Sequence, residues 1–379
     1  MKGQHIYLDS HATTAVDQDV LSTMLPYFTE HYGNGNHKAG RKTVTALEKA
    51  RFQVSNLIGA RPTEIVFTSG ATEAINMALI GLAENNKTER NHIITQKTEH
   101  KAVLENIDVL KQRGYKVSIL DVDSVGRIDL KQLENLINDK TLVVAIMLAN
   151  NEIGTIQPIE KIGKLCKTFG AKFFSDITQG VGWHTIDVDK MNIDLASMSS
   201  HKIYGPRGVG ALFMRRNGVK VNISPILFGG GQERGFRPGT HNIPGIIGFG
   251  KACELFQENQ KEIYQHIKTL RDHLQNKIFN AIEGVKLNGC PENRHPGNLN
   301  IAIPNISGEE LQGKLPNIMF STGSACSSGS AKPSHVISAL KVKDNILKNS
   351  FRIGIGKHNT MKEINYVGDR IITLINNLT

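Results

Sequence analysis

The sequence predicts an α/β fold, a mostly parallel sheet with helices on both faces, and three observations predict it. Short apolar runs recur through the first two-thirds of the chain. Helix-like segments separate several of these runs. Small and polar residues follow where the runs end. Apolar strands spaced by helices are the pattern of a sheet buried on both faces, and in such sheets ligands sit at the carboxyl ends of the strands.

The runs fall at residues 64–68 (EIVFT), 92–94 (HII), 115–120 (YKVSIL), 141–148 (TLVVAIML), 171–174 (AKFF), 194–198 (DLASM) and 209–214 (VGALFM), which gives a seven-stranded sheet. Helical spacing of apolar residues marks 44–58, 101–113, 129–138 and 159–169, and a further helix after Thr72 carries Ala74, Ile75, Ala78, Leu79 and Leu82 on one side. Beyond about residue 250 the texture changes. A long polar helix near 257–282 leads into a Gly/Pro/Asn loop and new elements. The expected division is a large domain over 13–252 and a smaller α/β domain built from 1–12 and 253–379.

Length and composition are those of an ordinary globular protein: 379 residues, 39% apolar and 21% charged. No run of 18 apolar residues suggests a spanning helix, and MKGQHIYLDSHATT lacks the basic-then-apolar pattern of a signal peptide. The expectation is a cytoplasmic protein without a membrane partner. Forty-five basic against 35 acidic residues give a net charge of +10. The basic residues are scattered, with neither a stripe nor interleaved aromatics, so nucleic acid is not an expected direct partner. The four cysteines, Cys166, Cys253, Cys290 and Cys326, form no C-x-x-C pair, which argues against structural zinc and fits a reducing compartment.

Chemistry concentrates at the strand ends. Lys202 lies between the run at 194–198 and the Gly205-Pro206 turn. A lysine there is ordinarily a solvated charge, but its amine could also form a Schiff base with the aldehyde of pyridoxal 5′-phosphate. That cofactor needs a carboxylate beside its ring nitrogen. Asp176 follows the run at 171–174, 202 − 176 = 26 residues before Lys202, with Gln179 one turn later; a turn or helix cap is its ordinary use. Gly70-Ala71-Thr72, where a strand becomes a helix, offers free N–H groups and a hydroxyl to a phosphate. Ser199 and His201 flank the lysine and could serve the same phosphate. The segment from Gly229 to Thr240 is a second glycine-rich loop.

His100 follows another strand end, where a histidine could stack on a flat ring and move protons near neutral pH. Asn150-Asn151 follows the run at 141–148 and could bind a carboxylate or form a turn. Cys166 and Cys253 sit in helical patterns and read as buried and inert. Cys326 differs, because it lies in STGSACSSGSA, a tract of small residues suited to an exposed, reactive thiol. Arg352, on a probable strand, could grip a carboxylate with two parallel hydrogen bonds.

Nine segments in order, LDSHATTAVD, TSGATEAINMA, TEHKAVLE, NNEIG, SDITQGVGW, SSHKIYGPRGVGAL, GGGQERGFRPGT, STGSACSS and FRIGIG, resemble the cysteine desulfurases, which are class V aminotransferase-like enzymes of PLP fold-type I. The tract around Cys326 resembles the longer-loop group related to iron–sulfur cluster assembly enzymes. The resemblance implies that Lys202 is the Schiff-base lysine and proton-moving base, and that His100 stacks on the cofactor ring. It implies that Asp176 pairs with the ring nitrogen and Gln179 with the ring hydroxyl. Ala71, Thr72, Ser199 and His201 would hold the phosphate, and Thr240 would complete it from the neighbouring subunit of a homodimer. Asn151 and Arg352 would bind the carboxylate of L-cysteine, Asn151 also touching the cofactor. Cys326 would take the sulfur as a persulfide, leaving L-alanine, and would pass it to an iron–sulfur scaffold or another sulfur acceptor. No resident metal is implied, although Cys326 could briefly help ligate a nascent iron–sulfur cluster. A selenocysteine lyase or another class V PLP enzyme would share Lys202 and Asp176. A nucleotide- or nucleic-acid-binding protein without chemistry would use neither.

Overall fold

The computed structural model describes residues 5–33, 38–322 and 334–378. Its centre is a seven-stranded sheet running, edge to edge, Ile65–Thr68, Gly210–Met214, Leu195–Ser199, Lys172–Asp176, Thr141–Ala145, His92–Gln96 and Lys116–Leu120. Gly210–Met214 is antiparallel to both neighbours, and every other pairing is parallel. All seven runs anticipated from sequence are strands of this sheet. Their apolar side chains are buried almost throughout except in the edge strand Lys116–Leu120, where only Leu120 is fully buried. That is the burial expected when helices cover both faces and one edge meets solvent.

Helices Arg41–Leu57 and Ile159–Phe169 and the buried segment around Val181–Ile193 belong to one core cluster, which holds Val144, Phe173, Met198 and Phe213 from the sheet. Helices Ala71–Glu84 and Lys101–Gln112 close the other face over Val66, Ile93, Val143, Phe174 and Leu212.

The second sheet has four antiparallel strands in the order Ser321–Thr322, Ser350–Gly354, Asn298–Ala302 and Lys286–Leu287. The N-terminal strand Ile6–Tyr7 pairs in parallel with Ile318–Met319, and Asp9 bridges to Gly354. The start of the chain therefore packs on its C-terminal part.

The polar helix anticipated near 257–282 is the second half of a 39-residue helix, Ile243–Ala281. Its first half escapes helical periodicity because it is apolar on nearly all sides and rich in glycine, a poor helix former. The glycines have a packing reason. A Cβ on Gly250 would lie 2.6 Å from Ala50 Cα in Arg41–Leu57, and one on Gly248 would meet Met24 Sδ at 2.5 Å. No helix among the described residues is long and apolar enough to cross a membrane.

Candidate active site

The carboxyl ends of the parallel strands open into a cavity of about 480 Å³. Lys202 stands at its floor, in a short 3₁₀ turn (Ser200–Lys202) directly after the strand Leu195–Ser199. Its Nζ donates to the carbonyls of His11 (2.5 Å) and Ala12 (2.9 Å). Two residues on, Tyr204 holds φ at 63°, a conformation rare for bulky side chains. It is paid for by a closed set of contacts. Tyr204 N donates to Thr14 Oγ1, its carbonyl accepts from Asp17 N, its hydroxyl accepts from Lys357 N, and its ring stacks on Phe256. The chain thus reverses sharply and presents Lys202 to the cavity.

Asp176 ends the neighbouring strand and lines the same cavity. Its Oδ1 accepts from Thr178 N (3.0 Å) and Ser197 Oγ (2.9 Å), while Oδ2 has no hydrogen-bond partner among the described residues. A carboxylate held this way has one oxygen left for a cationic N–H. Gln179 follows, buried, with its amide clasped to His11.

Helix Ala71–Glu84 starts at Gly70 with no side-chain cap, and Ala71 and Thr72 line the cavity. Uncapped N–H groups aimed at a polar cavity suit an anion. The approach is close. A Cβ on Gly210 would come within 2.7 Å of Gly70 Cα, so only glycine lets the antiparallel strand run beside this turn. Ser199 and His201 complete the wall. His201 Nδ1 meets Thr13 Oγ1 at 3.0 Å, and burial together with Lys202 and Arg207 pushes its pKa down to about 4. Arg207, which sequence reasoning passed over inside GPRG, also lines the cavity, with its Nε donating to Thr13 Oγ1. It adds a permanent cation to the anion end.

His100 has two jobs. It is the N-cap of helix Lys101–Gln112, with Nδ1 accepting from Ala102 N at 3.1 Å. In the neutral ring the proton therefore sits on Nε2. The ring is open to the cavity mouth but flanked by protein. That enclosure, aided by Lys202 and His335, outweighs the attraction of Asp176 and holds its pKa below the ordinary value. The two asparagines are placed differently. Asn150 makes the turn, accepting from Glu152 N and Ile153 N and donating to Thr98 O, and Asn151 lines the cavity.

Two anticipated residues stand outside the lining. Arg352 is buried on the strand Ser350–Gly354; it donates to Asn151 O (2.9 Å), Asp9 Oδ1 (2.6 Å) and Ser321 Oγ (2.8 Å), and its Nε has no partner. It thus backs the Asn151 wall. Thr240 is exposed on the glycine-rich loop, away from this chain's cavity. Cys326 lies outside the described residues, but the chain on either side of it is fixed near the cavity. Ser321 meets Asp9 and Arg352, and Ser334 Oγ donates to Glu152 Oε2 (2.5 Å). Cys166, Cys253 and Cys290 are all buried, and burial raises the first two thiols far above the ordinary range.

Over 98% of its length the chain is 44% identical to the cysteine desulfurase IscS of Ehrlichia chaffeensis, covering 92% of that protein. The chain belongs to the cysteine desulfurase family. Residues 6–367 also match the family described as aminotransferase class-V. A solved NifS-like protein superposes with a TM-score of 0.91 at 38% identity, covering 98% of this chain and 100% of that one. SspA in complex with cysteine superposes at 0.81 and 34% identity, covering 93% and 99%. The protein is therefore a PLP-dependent enzyme of fold-type I. The residues present fit that cofactor: an amine, a carboxylate with an unused oxygen and an uncapped helix start converge on one cavity.

Proposed function

We propose that this desulfurase converts L-cysteine to L-alanine by moving sulfur onto Cys326, with Lys202 carrying the cofactor. The observation that supports it most is the placement of Lys202, Asp176, His100, Thr72 and Ser199 around one cavity at the strand ends. When bound, the cofactor supplies an electron sink that acidifies the substrate α-hydrogen. Lys202 would hold it covalently and move the substrate proton. Asp176 Oδ2 would keep the ring nitrogen protonated, and Gln179 would donate to the ring oxygen. Ala71, Thr72, Ser199, His201 and Arg207 hold the phosphate. The imidazole of His100 would lie against the ring, where its cavity-side Nε2–H can donate to the substrate sulfur. Asn151, backed by Arg352, receives the substrate carboxylate.

In the net step the C–S bond of cysteine breaks and an S–S bond forms on Cys326. The Cys326 thiol hydrogen ends in alanine, so no outside oxidant or reductant is consumed. On either side of the segment that carries Cys326, Ser321 is bonded to Asp9 and Ser334 to Glu152, the neighbour of the cavity-lining Asn151.

The finer reading includes a cytoplasmic homodimer in which Thr240 serves the partner's phosphate site, a large domain over 13–252, a smaller one from 1–12 and 253–379, and delivery of sulfur to iron–sulfur assembly. Alanine and persulfide measured from cysteine, for wild type and Cys326→Ser, test it. The serine variant should retain the visible cofactor band and lose both products. Undiminished alanine from Cys326→Ser would overturn the persulfide route.

A further inference from the structure

His11 lies in the loop after the N-terminal strand and is outside the cavity lining, yet it touches two groups that face the cavity. Its carbonyl accepts from Lys202 Nζ (2.5 Å) and from Gln179 Nε2 (2.9 Å), and its Nδ1 meets Gln179 Oε1 at 3.2 Å. A carbonyl can only accept. Gln179 must therefore turn its NH₂ toward His11 O, which puts Oε1 against the ring and requires Nδ1 to carry the proton. The tautomer of His11 and the orientation of the amide are fixed together. One hydrogen on Gln179 Nε2 is used by His11 O, and the other remains for the cavity.

We infer that His11 is a positioning residue for the cofactor ring oxygen: its Nδ1–H locks Gln179 so that the second Nε2–H points at that oxygen and stabilises its anionic form.

The surroundings keep His11 in this state. The ring is buried and edge-on to His295, 4.4 Å between centroids, with the backbone of Gly297 beside it and no well-aligned hydrogen bond at Nε2. The charged groups acting on it are Arg352 and Lys202, both cations. His295, which accepts from Gly297 N on its own Nδ1, faces it with His184, Arg271 and Arg294 behind. Burial and these cations bring His11 down to about 3, so it stays neutral across the range in which the cofactor titrates.

The inference rests on the proposed placement of the cofactor at Lys202 and Gln179, and its test separates the two. Holoenzyme is titrated by visible absorption for wild type, His11→Phe, His11→Asn, Gln179→Leu and the His11→Phe/Gln179→Leu pair, with borohydride trapping on Lys202 in each sample. Phenylalanine keeps the ring shape without a donor, and the midpoint should rise by about half a pH unit, roughly a threefold change in proton affinity. Asparagine offers an N–H where Nδ1 was and should titrate like wild type. In the Gln179→Leu background the phenylalanine should add nothing, because coupled residues are not additive. An unmoved midpoint in His11→Phe, or a shift that persists without Gln179, would overturn the role of His11 while leaving the placement standing. Absence of trapping at Lys202 in wild type would overturn the placement itself. If His11→Phe does not fold, His11→Ala against His11→Asn makes the same comparison.

Discussion

Arg51 and Glu233 meet as a buried two-pronged ion pair, with guanidinium-to-carboxylate distances of 2.7 and 2.8 Å. Glu233 also accepts from Phe67 N (2.9 Å) and lies 2.7 Å from His241 Nε2. It therefore ties the glycine-rich loop to helix Arg41–Leu57 and to an edge strand of the main sheet. Glu233 and Arg234 both hold positive φ, at 47° and 58°, so the loop keeps a shape its backbone would not choose alone. Removing one partner leaves a buried, uncompensated charge. Glu233→Ala should cost about 3–5 kcal/mol in denaturant unfolding, and Arg51→Met with Glu233→Leu should recover much of it. Burial alone would raise the Glu233 carboxyl, but Arg51 and His241 hold it down to about 2. Its contribution is thus present above the unfolded carboxyl value and should be lost as pH falls from about 4.5 toward 2.

Glu99 should act in the opposite sense. Burial pushes its carboxyl up to about 8, against hydrogen bonds from Met147 N and Gln96 Nε2, both 2.7 Å from Oε1. Its Oε2 is buried without a partner. The folded protein keeps this proton while the unfolded chain releases it, so wild-type stability should decline as pH rises from about 4.5 to 8 and level off above. Glu99→Gln keeps an acceptor for both donors and cannot ionise. Its unfolding free energy relative to wild type should therefore climb by about 1.4 kcal/mol per pH unit within that window. A flat difference between pH 5 and 8 would contradict a neutral Glu99.

The seven strands and most of the cavity were legible in the sequence for a local reason. A strand buried on both faces is a continuous apolar run, and the residue after it sits where ligands bind, so Lys202, Asp176 and His100 could be found one strand end at a time. His11, Arg207 and Glu152 were not found. Each works through partners more than a hundred residues away: Gln179 for His11, Thr13 for Arg207 and Ser334 for Glu152. No local period records such contacts. Arg352 shows the same limit from the other side. Its residue type suggested a carboxylate grip, but only the fold reveals that Asp9 and Ser321 already occupy one of its nitrogens.

Asp176→Asn separates the anion from the shape. The amide can still accept from Thr178 N and Ser197 Oγ, which leaves the strand end intact, but it cannot hold a proton on the ring nitrogen. Cysteine-to-alanine turnover should fall on the order of a hundredfold or more, while borohydride still traps the cofactor on Lys202. Loss of trapping together with turnover would mean that Asp176 serves cofactor retention rather than chemistry.

Glu152 tests whether the tether matters to sulfur transfer. Ser334 Oγ donates to Glu152 Oε2 and also caps the helix His335–Ala339 by accepting from Val336 N and Ile337 N. His335 Nε2 adds a contact to Glu99 O at 3.0 Å. Glu152 is itself set by the Asn150 turn beside the cavity-lining Asn151. Glu152→Ala removes the anchor at one end of the Cys326 segment and leaves Lys202, Asp176 and the anion end untouched. The cofactor spectrum should stay that of wild type. Single-turnover persulfide formation on Cys326 should slow by about tenfold, the loss expected for one hydrogen bond to a charged group. Glu152→Gln, which still offers Ser334 an acceptor, should recover most of the rate. Equal rates in all three proteins would show that the segment finds the cavity without this tether.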